Sequence, residues 1–194
     1  MALQNSIGFK RLLRWLAAGL VVAAALGESG AVAKPVASQH AEIRFVAMQM
    51  DVPVEGEFKQ VSADVDFDPA KPQAGKVSIV IKLASVDTGS SDADNMLKSK
   101  GFFDAGKFPE ATFVSTSIVP AGANMFRASG QFTLKGRSLA LVIPFSASPE
   151  GAGLSLKGSV PVSRLAYNVG EGEWTDTGTL ADQVLIKFKL FLPR

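Results

Sequence analysis

Catalysis by the common routes would have to come from very few groups: one imidazole (His40), no thiol, and 18 carboxylates. A Ser-His-Asp relay needs its imidazole held rigidly in a pocket. His40 precedes the first clear strand pattern, so it is read as incidental. A structural zinc needs Cys and His ligands at set spacing, which a single His cannot provide. Asp64, Asp66 and Asp68 offer oxygens to calcium, but a spacing of two puts all three on one face of a strand. No EF-hand glycine or closing glutamate follows at the required offsets. They are read as a solvated face, with Val65 and Phe67 turned inward. Asp92 and Asp94 could pair as acid and base, yet at a helix start they complement the dipole. Gly170-Glu171-Gly172-Glu173 opens no helix, so it is no phosphate cradle. The expectation is a protein that is not an enzyme, with no metal and no cofactor.

The elements that would position such groups are almost all strands. Period-two alternation runs through Ile43-Phe45-Ala47, Val61-Ala63-Val65-Phe67, Val77-Ile79-Ile81-Leu83 and Thr112 to Val119. It continues through Phe126-Ala128-Gly130-Phe132-Leu134, Leu139-Leu141-Ile143-Phe145, Leu154-Leu156-Gly158-Val160-Val162 and Val184-Ile186-Phe188-Leu190-Leu192. Alternation of this kind marks half-buried strands. Lys135-Gly136-Arg137 and the Pro/Gly clusters at 68–75, 120–122 and 148–151 supply turns. One helix is expected over Ser91 to Lys100, capped by Ser91 or Asp92 and stopped by Gly101. Gly130 and Gly158 fall mid-strand, where glycine marks a bulge or bend that lets a sheet curl. The fold class that follows is all-β: an eight-stranded antiparallel barrel with one short helix.

Residues 1–33 are expected to be removed. Lys10, Arg11 and Arg14 precede the uncharged run Trp15 to Leu26, and Ala31-Val32-Ala33 closes it. That order is a secretory signal peptide, and the run is too short to span a bilayer, which takes about 20 apolar residues. The remaining domain, 34–194, is then expected in the periplasm as a soluble product. It carries 17 basic and 17 acidic residues, so it has no basic block to neutralise phosphates and nucleic acid is not an expected partner. With no cysteine, stability must come from an apolar core, and a chain of this length can supply one.

Twelve of the 13 phenylalanines fall after residue 33, many on the same face as the aliphatic side chains. An eight-stranded barrel is just wide enough either to fill with side chains or to hold one ligand. Ala47, Ala63, Ala128, Gly130 and Gly158 on otherwise bulky faces would leave room.

Several stretches together identify the sequence. They are Val52-Pro53-Val54-Glu55-Gly56-Glu57-Phe58, Ala84-Ser85-Val86-Asp87-Thr88-Gly89, the run from Phe102 to Phe113, Gly130 to Gly136, and Gly170-Glu171-Gly172-Glu173-Trp174. In this order they resemble the YceI-like family of exported bacterial proteins, whose fold is lipocalin-like. The resemblance implies a barrel that binds a polyisoprenoid chain, such as a quinone tail or polyprenyl phosphate, in its lumen. Other long-chain amphiphiles fit the same space. The chain departs from the family pattern at Ser163 to Gly170, where an Arg-x-x-Phe-Gly segment is common, and at Gln49, where many relatives carry His. The expected lining is Phe45, Phe58, Phe67, Ile79, Ile81, Phe102, Phe103, Phe113, Phe126, Phe132, Phe145, Tyr167, Trp174 and Phe188. Phe102 and Phe103 are expected to cap the mouth, and Lys98, Lys100, Lys107 and Arg164 are the basic groups available to a headgroup. The competing reading is a filled barrel that serves as an interaction module for a membrane redox partner. Transient contact with the membrane and a homodimer belong to the expected partners.

Overall fold

A computed structural model describes residues 34–36 and 41–193. The expected leader and His40 lie outside the described residues. The strands are β1 (Lys34–Val36), β2 (Ala41–Gln49), β3 (Val52–Phe58), β4 (Val61–Asp66), β5 (Lys76–Lys82) and β6 (Val86–Asp87). After helix α1 (Ser91–Lys98) come β7 (Glu110–Gly122), β8 (Met125–Leu134), β9 (Arg137–Glu150), β10 (Gly153–Ser163) and β11 (Gln183–Pro193). All pair antiparallel in one sheet, in the order β1-β4-β5-β7-β8-β9-β10-β11-β2-β3-β6.

The count among the described residues is eleven strands, against the eight expected. Three were missed. β3 carries Pro53 and Gly56 and has no clean alternation, while β1 and β6 are three and two residues long. The sheet nevertheless curls back on itself. Only Lys59 and Gln60 separate β3 from β4, and only the 3₁₀ turn Leu83–Ser85 separates β5 from β6. β3 pairs β6 and β4 pairs β5, so these are two bent strands running side by side. Across the bend, Lys59 N–H donates to the Ser85 carbonyl (3.0 Å) and Lys82 N–H to that of Gln60 (3.0 Å). β2 pairs β3 on the other flank, which closes the ring.

Inward residues follow the alternation. Ile43 lies opposite Phe188 and Phe45 opposite Ile186, and Leu156 lies opposite Leu190. Leu83, Ile118 and Leu190 are the most completely buried large apolar side chains. Met50-Asp51 and Lys135-Gly136 close two-residue hairpins with positive φ at both central positions (48° and 63°, 49° and 75°), the geometry that matches strand twist.

One stretch of wall is unpaired. β9 and β10 share a ladder only from Glu150↔Gly153 to Phe145↔Gly158, so Arg137 to Pro144 and Ser159 to Ser163 diverge. The divergence begins at Gly158, where a Cβ would lie 2.4 Å from the Pro144 carbonyl and 2.6 Å from the Phe188 ring. Glycine there allows the close approach, as at a barrel corner. Gly130 stands at the corresponding irregularity between β7 and β8, beside the shift at Ser115/Ser117.

Candidate functional site: an apolar lumen in two chambers

Inside the barrel lie two adjoining cavities. The upper one, of about 170 Å³, is bounded by residues of β2, β3, β5, β7, β8, β10 and β11, by α1, and by Trp174 and Leu180. The lower one, of about 60 Å³, is lined entirely by apolar side chains from β2, β5, β7, β8, β9, β10 and β11. Ile43, Ile81, Phe132 and Ile186 line both and form a waist between them.

Aromatic rings set both ends. At the upper end Phe45, Phe58 and Phe103 form a chain of tilted contacts, with centroids 5.8 and 5.9 Å apart. Phe102 packs edge-on against Trp174 at 5.6 Å. Phe102 and Phe103 are buried and line the upper chamber. At the lower end Phe67, Phe126 and Phe145 pack mutually at 5.0, 5.4 and 5.5 Å and make a floor. Contacts of this geometry add about 0.5–1.5 kcal/mol each beyond area burial.

Of the expected lining, Phe45, Phe58, Phe102, Phe103 and Trp174 face the upper chamber. Ile79, Phe113, Phe145 and Phe188 face the lower, and Ile81 and Phe132 face both. Phe67, Phe126 and Tyr167 line neither. Phe67 and Phe126 are floor, and Tyr167 sits edge-on to Phe132 at 5.3 Å from a 3₁₀ turn after β10, with burial pushing its phenol pKa up. The lining that sequence reasoning missed includes Gln49, Val54, Thr88, Met96, Leu97 and Leu180. Met96 and Leu97 come from α1, Thr88 and Leu180 from loops, and Gln49 and Val54 from the β2–β3 hairpin, none of which carries a clean alternation.

The helix covers the mouth of the upper chamber with Ala93, Met96 and Leu97. Its N-cap is Ser90, one residue before the expected cap, and the Ser90 hydroxyl accepts from Ala93 N–H at 3.5 Å. Asp94 accepts from both the N–H and the hydroxyl of Thr88 at 2.8 Å, which ties the helix start to β6. Asp68 likewise accepts from Ala70 N–H in a local turn. Among the described residues no cluster of His, Cys, Asp or Glu is placed to hold a metal ion.

Of the four basic groups considered for a headgroup, only Arg164 lines the lumen. It is 3% exposed. Its Nε, Nη1 and Nη2 donate to the carbonyls of Ala181, Val169 and Leu180. Burial pushes its pKa below the usual guanidinium range, opposed by the charge of Asp182. Lys100 and Lys107 are exposed and Lys98 is half-buried; the Lys107 ammonium lies over the Phe108 ring at 5.1 Å. Above the divergence of β9 and β10, Lys135 donates to the Asn168 carbonyl and to Glu171, both at 2.8 Å. Arg137 adds a bond to the Asn168 side chain at 2.8 Å. Lys135 holds the Glu171 carboxyl below its usual range.

Fold and lumen together define a curled antiparallel sheet with an apolar interior, parted between β9 and β10 beyond Gly158. The chain belongs to the YceI-like family, whose domain model matches residues 35–192. A UPF0312 protein of Pseudomonas savastanoi pv. phaseolicola is 35% identical over 114 residues, 58% of this chain and 59% of that protein's length. One from Shewanella sp. strain MR-7 is 33% identical over 143 residues, covering 73% of this chain and 75% of its own. The crystal structure of Burkholderia cenocepacia BcnA matches with a TM-score of 0.79 and 41% identity over 81% of this chain and 99% of that one. A polyisoprenoid binding domain from Saccharophagus degradans, implicated in plant cell wall breakdown, matches in fold at 16% identity and a TM-score of 0.65, over 82% and 97% of the two chains.

Proposed function

We propose that this protein holds one long apolar lipid of the polyisoprenoid class along its lumen, as an exported carrier or store in the periplasm rather than a catalyst. The observation that carries the reading is the pair of adjoining apolar chambers with a shared waist. The polyisoprenoid binding named for the Saccharophagus domain supports it by analogy of fold. The filled-barrel alternative predicts a dry, filled interior and is disfavoured by the same voids.

An apolar cavity of about 150 Å³ admits a molecule the size of benzene. The upper chamber alone is close to that, so a polyisoprenoid must run through both chambers and part the side chains at the waist. Burial of its tail stabilises the complex by about 25 cal/mol per Å² removed from water, reduced by the ordering costs of association. Few polar contacts are needed.

The test is organic extraction of protein purified from a bacterial periplasm, followed by mass spectrometry. A polyisoprenoid at close to one per barrel is expected. Protein free of lipid that also fails to take up added quinones or polyprenyl phosphates would sink the reading. N-terminal sequencing of the same sample is expected to begin at Lys34, and an intact Met1 would remove the export part.

A further inference from the structure

Large apolar side chains are spread unevenly over the outer surface. Among the described residues eight are exposed, and five of them, Val114, Val119, Met125, Leu139 and Val142, lie on β7, β8 and β9. Single exposed hydrophobics are ordinary, whereas a contiguous group marks a surface that something covers. Val114 stands opposite Gln131 and Val142 opposite Ser129, on the two flanks of β8, and each is half exposed (50% and 51%). Val119 stands opposite Arg127, and Met125 opposite Ser146. Leu139 shares the inward row with Phe132 yet is exposed, because the wall parts between β9 and β10 there. The same stretch of chain is one-sided in charge. From Ala111 to Pro149 it has no Asp or Glu, and its cations are Arg127, Lys135 and Arg137. Lys135 is spent on Glu171, while Arg127 and Arg137 are exposed and make no ion pair among the described residues. Around β2, β3 and β6 the outer wall is instead a set of ion pairs among Glu42, Arg44, Glu57, Lys59 and Asp87. The remaining exposed hydrophobics keep acidic company: Met50 and Val52 flank Asp51, and Met96 shares α1 with Asp92 and Asp94.

We propose that the outer face of β7, β8 and β9 docks on a lipid bilayer bearing anionic headgroups, with the parted wall between β9 and β10 turned toward it. The proposal rests on the lumen reading above and names the surface through which the protein meets its lipid. Affinity for a bilayer interface grows with the apolar area buried and with the attraction of cations to anionic lipid. This face supplies both, and it lacks the carboxylates that such a surface would repel. Val114 and Val142 stand at its centre as the apolar anchors. Between them lie Ser129, Gln131 and Ala140, whose desolvation costs far less than that of ionised side chains. Arg127, beside Val119, can lay its stem on apolar surface and raise its guanidinium to a phosphate. A second copy set face to face would bring the same cations together, so the match is to an anionic surface rather than to another barrel. The upper end of the barrel is a poorer match, since its exposed Met50, Val52 and Met96 stand among acids.

The experiment is sedimentation of the periplasm-purified protein with vesicles of phosphatidylcholine alone and of phosphatidylcholine mixed equally with phosphatidylglycerol. Binding to the mixed vesicles is expected, at least tenfold tighter than to the neutral ones and weakened by salt. The double variant Val114→Asp/Val142→Asp is expected to bind mixed vesicles at least tenfold more weakly. Neither side chain lines the lumen, so the lipid recovered by extraction should stay at the wild-type amount. Val114→Thr/Val142→Thr keeps the branched shape that suits a strand. It is expected to lose several-fold, and it decides the matter if the aspartates prevent folding. Arg127→Glu is expected to cut the preference for phosphatidylglycerol several-fold, and Val52→Asp at the β2–β3 turn to stay within twofold of wild type. Wild type that carries extractable lipid yet binds neither vesicle, or face variants that bind as wild type does, would overturn the docking face and leave the lumen standing. A larger loss in Val52→Asp than in the face variants would overturn it in favour of the upper end. Docking that follows the face variants, with no lipid recovered from wild type, would support the face and overturn the lumen reading alone.

Discussion

The two chambers share a waist yet are built by different means. The upper one adds to its strand residues a short helix and loops that carry Thr88, Trp174 and Leu180, and it holds every polar side chain of the lining. The lower one is assembled from strand residues alone and ends on three mutually packed phenylalanines, Phe67 edge-on to the stacked pair Phe126 and Phe145. Strand interiors give regular, uniformly apolar walls because alternate side chains point one way. Strand ends and loops admit the exceptions on which discrimination depends. One end of the barrel is thus suited to reading a head, and the other to measuring a tail.

That division can be broken from below first. Phe126→Ala removes the central ring of the floor and is expected to cost about 3–5 kcal/mol in denaturant unfolding, the range for burying an alanine where a phenylalanine packed. If the floor measures the tail, this variant also binds a longer isoprenoid better relative to a shorter one, while wild type shows the reverse order. Unchanged chain-length preference removes the floor from that role.

A smaller effect is expected from Ala128→Leu, which fills the lower chamber from one of its smallest lining residues. Overpacking of a native core costs about 1–3 kcal/mol. Affinity for a twenty-carbon probe should fall by tenfold or more, and that for a ten-carbon probe should hold. Equal losses for both would mean that the chambers act as one space.

The upper chamber is tested by Ser90→Ala, which deletes the helix cap. A loss of about 1 kcal/mol is the ordinary cost of such a change. Because α1 lies over the mouth, stopped-flow release of ligand is expected to speed up with little change in tail preference. Release at the wild-type rate would show that the helix end does not gate this mouth.

The smallest effect concerns pH. The Glu171 carboxyl is held below its usual range by Lys135, whose side chain is only 6% exposed. A depressed carboxylate stabilises the fold above the unfolded value of about 4.3 and loses that contribution as pH falls through the lower folded value. Unfolding midpoints between pH 6 and 3 should therefore drop less in Glu171→Gln than in wild type. Parallel curves would deny the pair any such role.

Much of this molecule was legible as sequence because its strands are long and alternate cleanly. β8 and β10 lie where the Phe126–Leu134 and Leu154–Val162 patterns put them, including the two glycines at their irregularities. β3 was not, since Pro53 and Gly56 interrupt it, and its pairing with β2 on one flank and β6 on the other is tertiary information. For the site, alternation says that Phe67, Phe113 and Phe126 all point inward, but not how far along the barrel each lies. Only Phe113 meets a void, because position along the axis depends on strand tilt and register, which the period of two does not carry. Gln49 was visible only as a departure from relatives. Its place beside Leu180 depends on a bridge across 131 residues of chain.

The unpaired stretch between β9 and β10 has a consequence for kinetics. Leu141 and Ile143 on one lip and Val160 on the other line the lower chamber directly, and no ladder of hydrogen bonds has to be severed for these lips to separate. A long hydrocarbon can then slip out sideways over its whole length, as a thread leaves a slot rather than a needle's eye. Exchange through such a slot grows only weakly slower with each added isoprene, whereas end-on withdrawal slows steeply, so residence time against chain length tells the two routes apart.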